Sequence, residues 1–460
     1  MEVFETDWLA SRPVFYNEVT GKASYNINDV IDYHTFEFHP EGLYHYLNLG
    51  YSILEQTPIK HVKFLRHSSK LTIQEHGKFT LESFADPVDS WSEKITQEKD
   101  VLELIQATVQ AWEHSVQGDI VIPTSGGYDS RILNLFIQDK SRIRSFTYGI
   151  SRRQEESYEA VYAKKLANIL GTQWELIPLG EYHCYMDEWD KYYGISTHTH
   201  GMYHMEFYNK IKPRFIDNTP LLSGIIGDVW AGSVKIPGIF SFHDFHKMGY
   251  SHGVRVPPEV MLLKPDMEIA NQFYQDNKEK LQSPIFRVIQ TMRFKLILLS
   301  YLIAVPERIG FAPWSPFLDP EIALSMLTIV PERRNKRIWQ KEFFKREGLN
   351  IEDMKLSVNK TNMLDLFTMW NQPLRPLSVH LLREVIEPQF VEWVNKNICI
   401  SDKKWLWLTI LYDKKIKWFT NCLRIPERTL EAYSAYLVLK PIENQIKKRD
   451  AIVKGTLLSL

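Results

Sequence analysis

Apolar and polar positions alternate with two different periods along this chain, and the change of period divides it. Residues 1 to about 92 read as strands and turns. The stretch FYNEVTGKASYNI places a Thr20-Gly21 turn signal between aromatic and polar alternations, which predicts a hairpin. A helical patch follows at HPEGLYHYLNLGYSI. VKFLRHSSKLTI and HGKFTLESF then read as two further strands. Pro87 and the polar run DPVDSWSE predict a boundary near residues 92–93. From Ile95 to Val116 the period becomes helical, with Val101, Leu104, Ile105, Val109 and Trp112 on one face. A strand DIVIPT, a helix through Ile132, Leu135 and Phe136, a strand IRSFTYGI, a helix ending at Gly171 and a strand WELIPL come next. This alternation predicts an α/β fold, a parallel sheet with helices on its faces. Beyond about residue 240 the chain reads as mostly helical.

Composition narrows the function classes. In 460 residues, 55 Lys and Arg balance 56 Asp and Glu, so the net charge is −1. That argues against a nucleic-acid binder working by bulk electrostatics. The longest apolar run, Leu296–Val305, is too short to span a membrane and predicts a buried helix. Three dispersed cysteines, Cys184, Cys399 and Cys422, fit reduced thiols and a cytoplasmic protein. Aromatic residues make up 13% of the chain, which suits either a bulky core or a surface that handles sugar rings.

The sharpest chemical signal is Ser125-Gly126-Gly127-Tyr128-Asp129-Ser130, placed between a predicted strand and a predicted helix. Two glycines permit a tight turn. The helix N-terminus and loop amides make an anion site, and Ser125 and Ser130 add hydroxyls. An acid in such a loop is useful when a cation stands between Asp129 and phosphates. Magnesium is the natural candidate, because it takes few carboxylates and shares its shell with substrate phosphates. The G-K-[ST] of a Walker loop is missing, so ATP would be held in another way.

The S-G-G-x-D-S loop resembles the pyrophosphate loop (PP-loop) of the N-type ATP pyrophosphatases, and other segments resemble their asparagine synthetase-like branch. These are Ser145–Gly149 (SFTYG), Glu159-x-x-Tyr162-Ala163, Leu170-Gly171-Thr172, the 221–233 segment LLSGIIGDVWAGS, Glu307-Arg308, Pro316-Phe317-Leu318-Asp319 and Ser357–Asn362. The resemblance covers residues 95 to 370. It implies an adenine-nucleotide-hydrolase-like synthetase domain at 93–460, with a helical C-terminal part. ATP would be held by Ser125, Gly126, Gly127, Asp129, Ser130, Ser223 and Gly224, and Mg2+ by Asp129 and Asp228. Lys360 would be the catalytic residue, stabilising charge as an acyl-adenylate forms and collapses.

Gly50-Tyr51, Thr57-Pro58-Ile59 and Lys63-Phe64-Leu65 resemble the middle of that family's glutaminase domain. Such a domain needs a cysteine nucleophile at the mature N-terminus. Position 2 is Glu2, and no cysteine precedes Cys184. Residues 1–92 are therefore expected to be a small, β-rich, non-catalytic relative. The nitrogen would come from free ammonia, a separate ammonia-supplying subunit or an amine on a substrate. A homodimer is the other assembly considered. Two departures matter in the second motif: Ile225 stands where the family has an acid or a tyrosine, and Val229 replaces a glutamate. Ile225 cannot accept a proton, which leaves Glu206 and Glu307 as candidate bases.

The expected activity is ATP-dependent amide-bond formation on a small-molecule, sugar or peptide carboxylate, with neither nucleic acid nor membrane as partner. The rival expectation is a nucleotide-binding pseudoenzyme acting as a scaffold. His198, His200 and His204 read as pocket or structural residues in preference to a metal site. The basic run from Glu332 to Arg337 reads as a solvated helix face, as does Lys447–Arg449.

Overall fold

A computed structural model of the chain describes residues 1–74, 77–91, 94–249, 255–411 and 425–455, with side chains omitted at 425–426. His76, Tyr412, Cys422 and the expected boundary at 92–93 lie outside the described residues.

Six short strands occupy the N-terminal region: β1 (Glu2–Thr6), β2 (Phe15–Asn17), β3 (Ala23–Ser24), β4 (Val62–Phe64), β5 (Ser69–Ile73) and β6 (Phe79–Ser83). They form two antiparallel three-stranded sheets, ordered β1-β5-β6 and β3-β2-β4. The expected hairpin is present, with Phe15 opposite Ser24. The helical patch is α1 (Pro40–Leu49), capped by His39 Nδ1 accepting from the Gly42 amide and closed by Gly50 at φ 83°. This region is fastened to the rest of the chain. The Trp8 indole donates to Leu318 O at 2.8 Å, and the buried Glu41 carboxylate accepts from the amides of Ile269 and Ala270.

The second architecture is a five-stranded parallel sheet flanked by helices, so the chain is α/β. Its strands are β7 (Ile120–Pro123), β8 (Ile143–Thr147), β9 (Gln173–Leu176), β10 (Thr219–Leu222) and β11 (Phe311–Trp314), in the order β11-β10-β7-β8-β9. Ile120, Val121 and Ile122 are fully buried, as expected of a central parallel strand covered on both faces. Helix α2 (Glu98–Ser115) precedes β7. Helices α3 (Tyr128–Phe136) and α4 (Tyr158–Leu170) make the crossovers to β8 and β9, and α4 ends at Gly171 with φ 69°. Sequence periodicity missed β10 and β11. Each has four residues and contains a proline, Pro220 or Pro313, which lacks the ladder N–H and weakens a strand reading.

Strand order fixes where a ligand can sit. From β7 the chain adds β8 and β9 on one side, then returns to place β10 on the other. Loops leaving the carboxyl ends of β7 and β10 therefore lie side by side where the strand order reverses, the usual ligand position in an open parallel sheet. Beyond β9 come α5 (Met186–Tyr193), α6 (Met202–Ile211), α7 (Glu268–Asn277), α8 (Pro284–Leu299), α9 (Tyr301–Ile309) and α10 (Pro320–Leu327). The stretch Pro284–Ile309 is long and apolar enough to cross a membrane, and 83% of its most apolar window is buried inside the protein. The long helix Ile425–Val453 lies against Pro388–Ile398 and reaches α1, where the Tyr46 hydroxyl donates to Val438 O.

Candidate functional site

The loop after β7 is shaped by contacts behind it. Gly126 has φ 71°, and a Cβ there would stand 2.4 Å from Tyr162 Cβ, so only glycine fits against α4. Ser130 Oγ accepts from the Ser125 amide, and Ser125 Oγ from the Gly127 amide, each at 3.3 Å. Fully buried Arg131 draws the loop's carbonyl side inward. It donates to Gly126 O at 2.6 Å and Leu349 O at 2.9 Å, and forks onto both Glu352 oxygens at 2.8 and 3.0 Å. Tyr128 and Phe344 lie over its guanidinium at 5.0 Å each. Helix α3 starts with no side-chain cap, so its first amides remain available to an anion. Arg131 went unnoticed in the sequence because an arginine on a helix ordinarily reads as solvated.

The second loop, after β10, meets the first at Asp129. The Ser223 amide donates to Trp314 O, and Ser223 Oγ accepts from the Ile225 amide at 3.3 Å. A Cβ on Gly224 would lie 3.2 Å from Asp129 Cβ. One on Gly227 would lie 3.0 Å from Asp129 Cγ and 2.9 Å from the Phe317 ring. The spaces occupied by Asp129 and Phe317 thus explain both glycines. Asp228 opens the turn Val229–Ser233, and Ser233 Oγ is 2.9 Å from its Oδ2. Trp230 donates to Phe317 O, and Trp339 to Ala231 O, which anchors the turn from both sides.

Asp129 and Asp228 act on each other electrostatically. Burial, then the Asp228 charge, pushes the Asp129 carboxyl up to about 8. Arg337, the Asp228 amide and Gln340 favour its charged form, yet Oδ1 is buried with no hydrogen-bond partner. Such an orphan oxygen is costly unless something else occupies the site. A divalent cation suits this place, since it would repay both the orphan atom and the like-charge repulsion. Among the described residues no group of three or more His, Cys, Asp or Glu could hold a metal. Two carboxylates fit an ion that completes its shell with phosphate oxygens and water. Buried Lys295 also faces Asp228: burial pushes its ammonium down to about 7, and the Asp228 charge opposes the shift. The sequence reading missed it because it lies on the otherwise apolar α8.

A cavity of about 690 Å³ opens beside the first loop, lined by Gly126, Gly127 and Tyr128 and by the cations Lys235, Lys336, Arg337 and Lys341. This corrects the reading of the 332–337 run as a solvated face. Lys336 and Arg337 line the cavity, the Arg337 guanidinium lies 4.9 Å from the Tyr128 ring, and Arg333 pairs with Glu98 and Glu342. The backbone explains the difference. Lys336 and Arg337 adopt φ of 54° and 56°, so the run is a tight double left-handed turn and not a continuous helix.

Lys360 is carried to the same region by backbone pairing. The Tyr158 amide donates to Asn359 O, and the Asn359 amide to Glu156 O. Lys360 Nζ lies 5.9 Å from the ring of Tyr158, which itself lines the cavity. Ser125, Gly126, Gly127, Asp129, Ser130, Ser223, Gly224 and Asp228 converge at the two strand ends, and Lys360 stands at the rim. Ile225 is buried and offers no polar side-chain atom.

The candidate bases are engaged elsewhere, which corrects that expectation. Glu206 accepts from the Gly180 and Glu181 amides and pairs with Lys210 at 2.7 Å. Glu307 pairs with Arg12. His200 pairs with Asp365 at 3.3 Å, His198 Nδ1 accepts from the His200 amide, and His204 lies among Tyr148, Tyr203 and Tyr301, so the three histidines serve structural contacts.

No protein-family model and no curated relative matches the chain. Among solved structures, it is similar to an NH3-dependent NAD synthetase from Campylobacter jejuni subsp. jejuni NCTC 11168 in complex with the nitrate ion. The identity is 12% over 44% of this chain and 96% of that one, with a TM-score of 0.24. A likeness that slight carries no argument about function.

Proposed function

We infer that the chain is an ATP-dependent ligase of the asparagine synthetase-like type, which adenylates a carboxylate and passes the acyl group to ammonia or an amine. One observation carries this reading. Two loops from neighbouring parallel strands bring Asp129 and Asp228 together beside an uncapped helix N-terminus and a cavity lined by four cations. That arrangement suits a polyphosphate accompanied by magnesium. Asp129 and Asp228 would hold the ion, which when bound offsets phosphate charge.

The chain's own groups do the rest. The amides at the start of α3, with Ser125 and Ser130, orient the β and γ phosphates. Ser223 and Gly224 lie where the α phosphate would follow. A substrate carboxylate oxygen attacks the α phosphorus, the bond to the β-phosphate oxygen breaks, and pyrophosphate leaves. Lys360 balances the charge that builds in this step and in the next, where the amine nitrogen attacks the acyl carbon, AMP departs and the nitrogen's surplus proton passes to solvent water.

Buried, apolar Ile225 favours a second reading, a nucleotide-binding scaffold without turnover. Pyrophosphate release separates the two. The protein is incubated with ATP, magnesium and panels of sugar, peptide and aliphatic acids with amines. Acid-dependent release that vanishes in Asp129→Ala and Lys360→Ala supports the ligase. ATP binding with no release from any acid supports the scaffold.

A further inference from the structure

The cation-lined cavity does not end at the phosphate loop. A second cavity, of about 600 Å³, adjoins it at Gly232, Lys235 and Asn335, which line both and form the neck between them. Their characters differ. The second is walled by aliphatic side chains, including Ile236, Ile285, Val288, Leu327 and Ile329. At its rim Ile95 is 71% exposed and Val330 36% exposed. The walls are fixed. The Thr96 amide donates to Thr328 O at 3.2 Å, their hydroxyls meet at 2.8 Å, and Arg287 Nε donates to Ile236 O.

Charge is distributed with the same asymmetry. Lys94, Lys235 and Arg334 line the groove, and among the described residues no Asp or Glu does. At the neck Arg334 Nη1 and Asn335 Oδ1 are buried without hydrogen-bond partners. Gly232 packs directly on the Arg334 backbone there: its φ is 104°, and a Cβ would lie 2.1 Å from Arg334 O.

We propose that this groove seats the aliphatic arm of the carboxylate substrate, with the carboxylate held at the Lys235–Arg334 neck beside the phosphate cavity. The proposal rests on the adenylation reading above and gives its substrate a class, an amphiphilic acid with an apolar chain. Burial of methylenes supplies affinity that a small polar acid would lack, and the cations at the neck select the anionic head. Because the neck residues line both cavities, the head would lie next to the nucleotide, as adenylation requires.

Calorimetric titration of the full chain tests this with three probes: decanoate, butyrate and decyltrimethylammonium, all below their micelle-forming concentrations. Decanoate is expected to bind at least about tenfold tighter than butyrate, and the cationic amphiphile is expected to bind far more weakly than decanoate. Val288→Trp fills the groove, and Ile95→Asp places a charge on its exposed rim without touching the core. Each should weaken decanoate at least about fivefold while leaving magnesium-ATP binding at its wild-type value. Decanoate binding no tighter than butyrate, equal binding of the cationic amphiphile, or unchanged decanoate affinity in Ile95→Asp overturns the proposal. Failure of ATP to bind the wild type, with decanoate still discriminated by these variants, sinks the adenylation reading instead and leaves the groove as an amphiphile site.

Discussion

Gly224 faces Asp129 so closely that a methyl group on its Cα would stand 3.2 Å from Asp129 Cβ and 3.3 Å from the Ser130 amide nitrogen. Two loops about a hundred residues apart in sequence are therefore packed on each other, and their glycines have different tolerances. Gly224→Ala needs its neighbours to give by a few tenths of an ångström. Gly227→Ala meets Asp129 Cγ and the Phe317 ring at 3.0 Å or less and forces a shift. ATP affinity should fall more in Gly227→Ala than in Gly224→Ala, by about tenfold against a few-fold. Nucleotide titration of the two variants checks the ranking.

The buried carboxyl predicts a pH effect with a definite sign. Asp129 ionises near its ordinary value of 3.8 in the unfolded chain and near 8 in the folded one. Between those values the folded state holds a proton that the unfolded state has released. Stability without divalent cations should therefore fall as pH rises from about 4 to 8, by at most about 1.4 kcal/mol per pH unit for one proton. Asp129→Asn should flatten this slope, as should saturating magnesium with ATP. Urea denaturation at pH 5, 6.5 and 8 measures it.

Arg131 predicts a stability defect coupled to the loop. Arg131→Met removes the donors to Gly126 O and Leu349 O and leaves Glu352 without its fork. Glu352 is 35% accessible and can rehydrate, so the loss should be about 2–4 kcal/mol, at or below what breaking a fully buried pair costs. Thermal unfolding with and without ATP should show a lower midpoint and a smaller ligand-induced rise.

Much of this arrangement was legible in the sequence, for identifiable reasons. β7 and β8 announced themselves as short apolar runs, and α4 because its apolar residues recur on one face and Gly171 marks a stop. The loop after β7 was legible because close approach demands glycine. Lys295, Arg131 and the 335–337 turn were not legible. Each involves a basic side chain whose role depends on a distant partner: Asp228, Glu352 or the cavity. The left-handed backbone at Lys336 and Arg337 has no glycine to advertise it. β10 and β11 were hidden because their prolines contradict strand propensity, and only pairing within the sheet, β10 with β7 and β11 with β10, overrides it.

The N-terminal region should act on the site through Trp8. Its indole bonds Leu318 O, and its ring lies 5.9 Å from that of Trp230, which in turn bonds Phe317 O beside Asp228. Trp8→Ala should cost about 3–5 kcal/mol of stability and weaken magnesium-ATP binding, while Val19→Ala, on an exposed turn, changes neither. Denaturation and nucleotide titration of the pair separate a coupled N-terminal region from a passive one.

On the reading proposed above, Asp129 and Asp228 form a divalent-cation site completed by a nucleotide's phosphates. Calorimetric titration of ATP with magnesium and with excess chelator tests it most directly. The account predicts that wild-type affinity falls at least about tenfold when magnesium is removed, and that Asp129→Asn and Asp228→Asn each abolish this dependence. Equal affinity with and without magnesium, or an undiminished magnesium dependence in both variants, would contradict it.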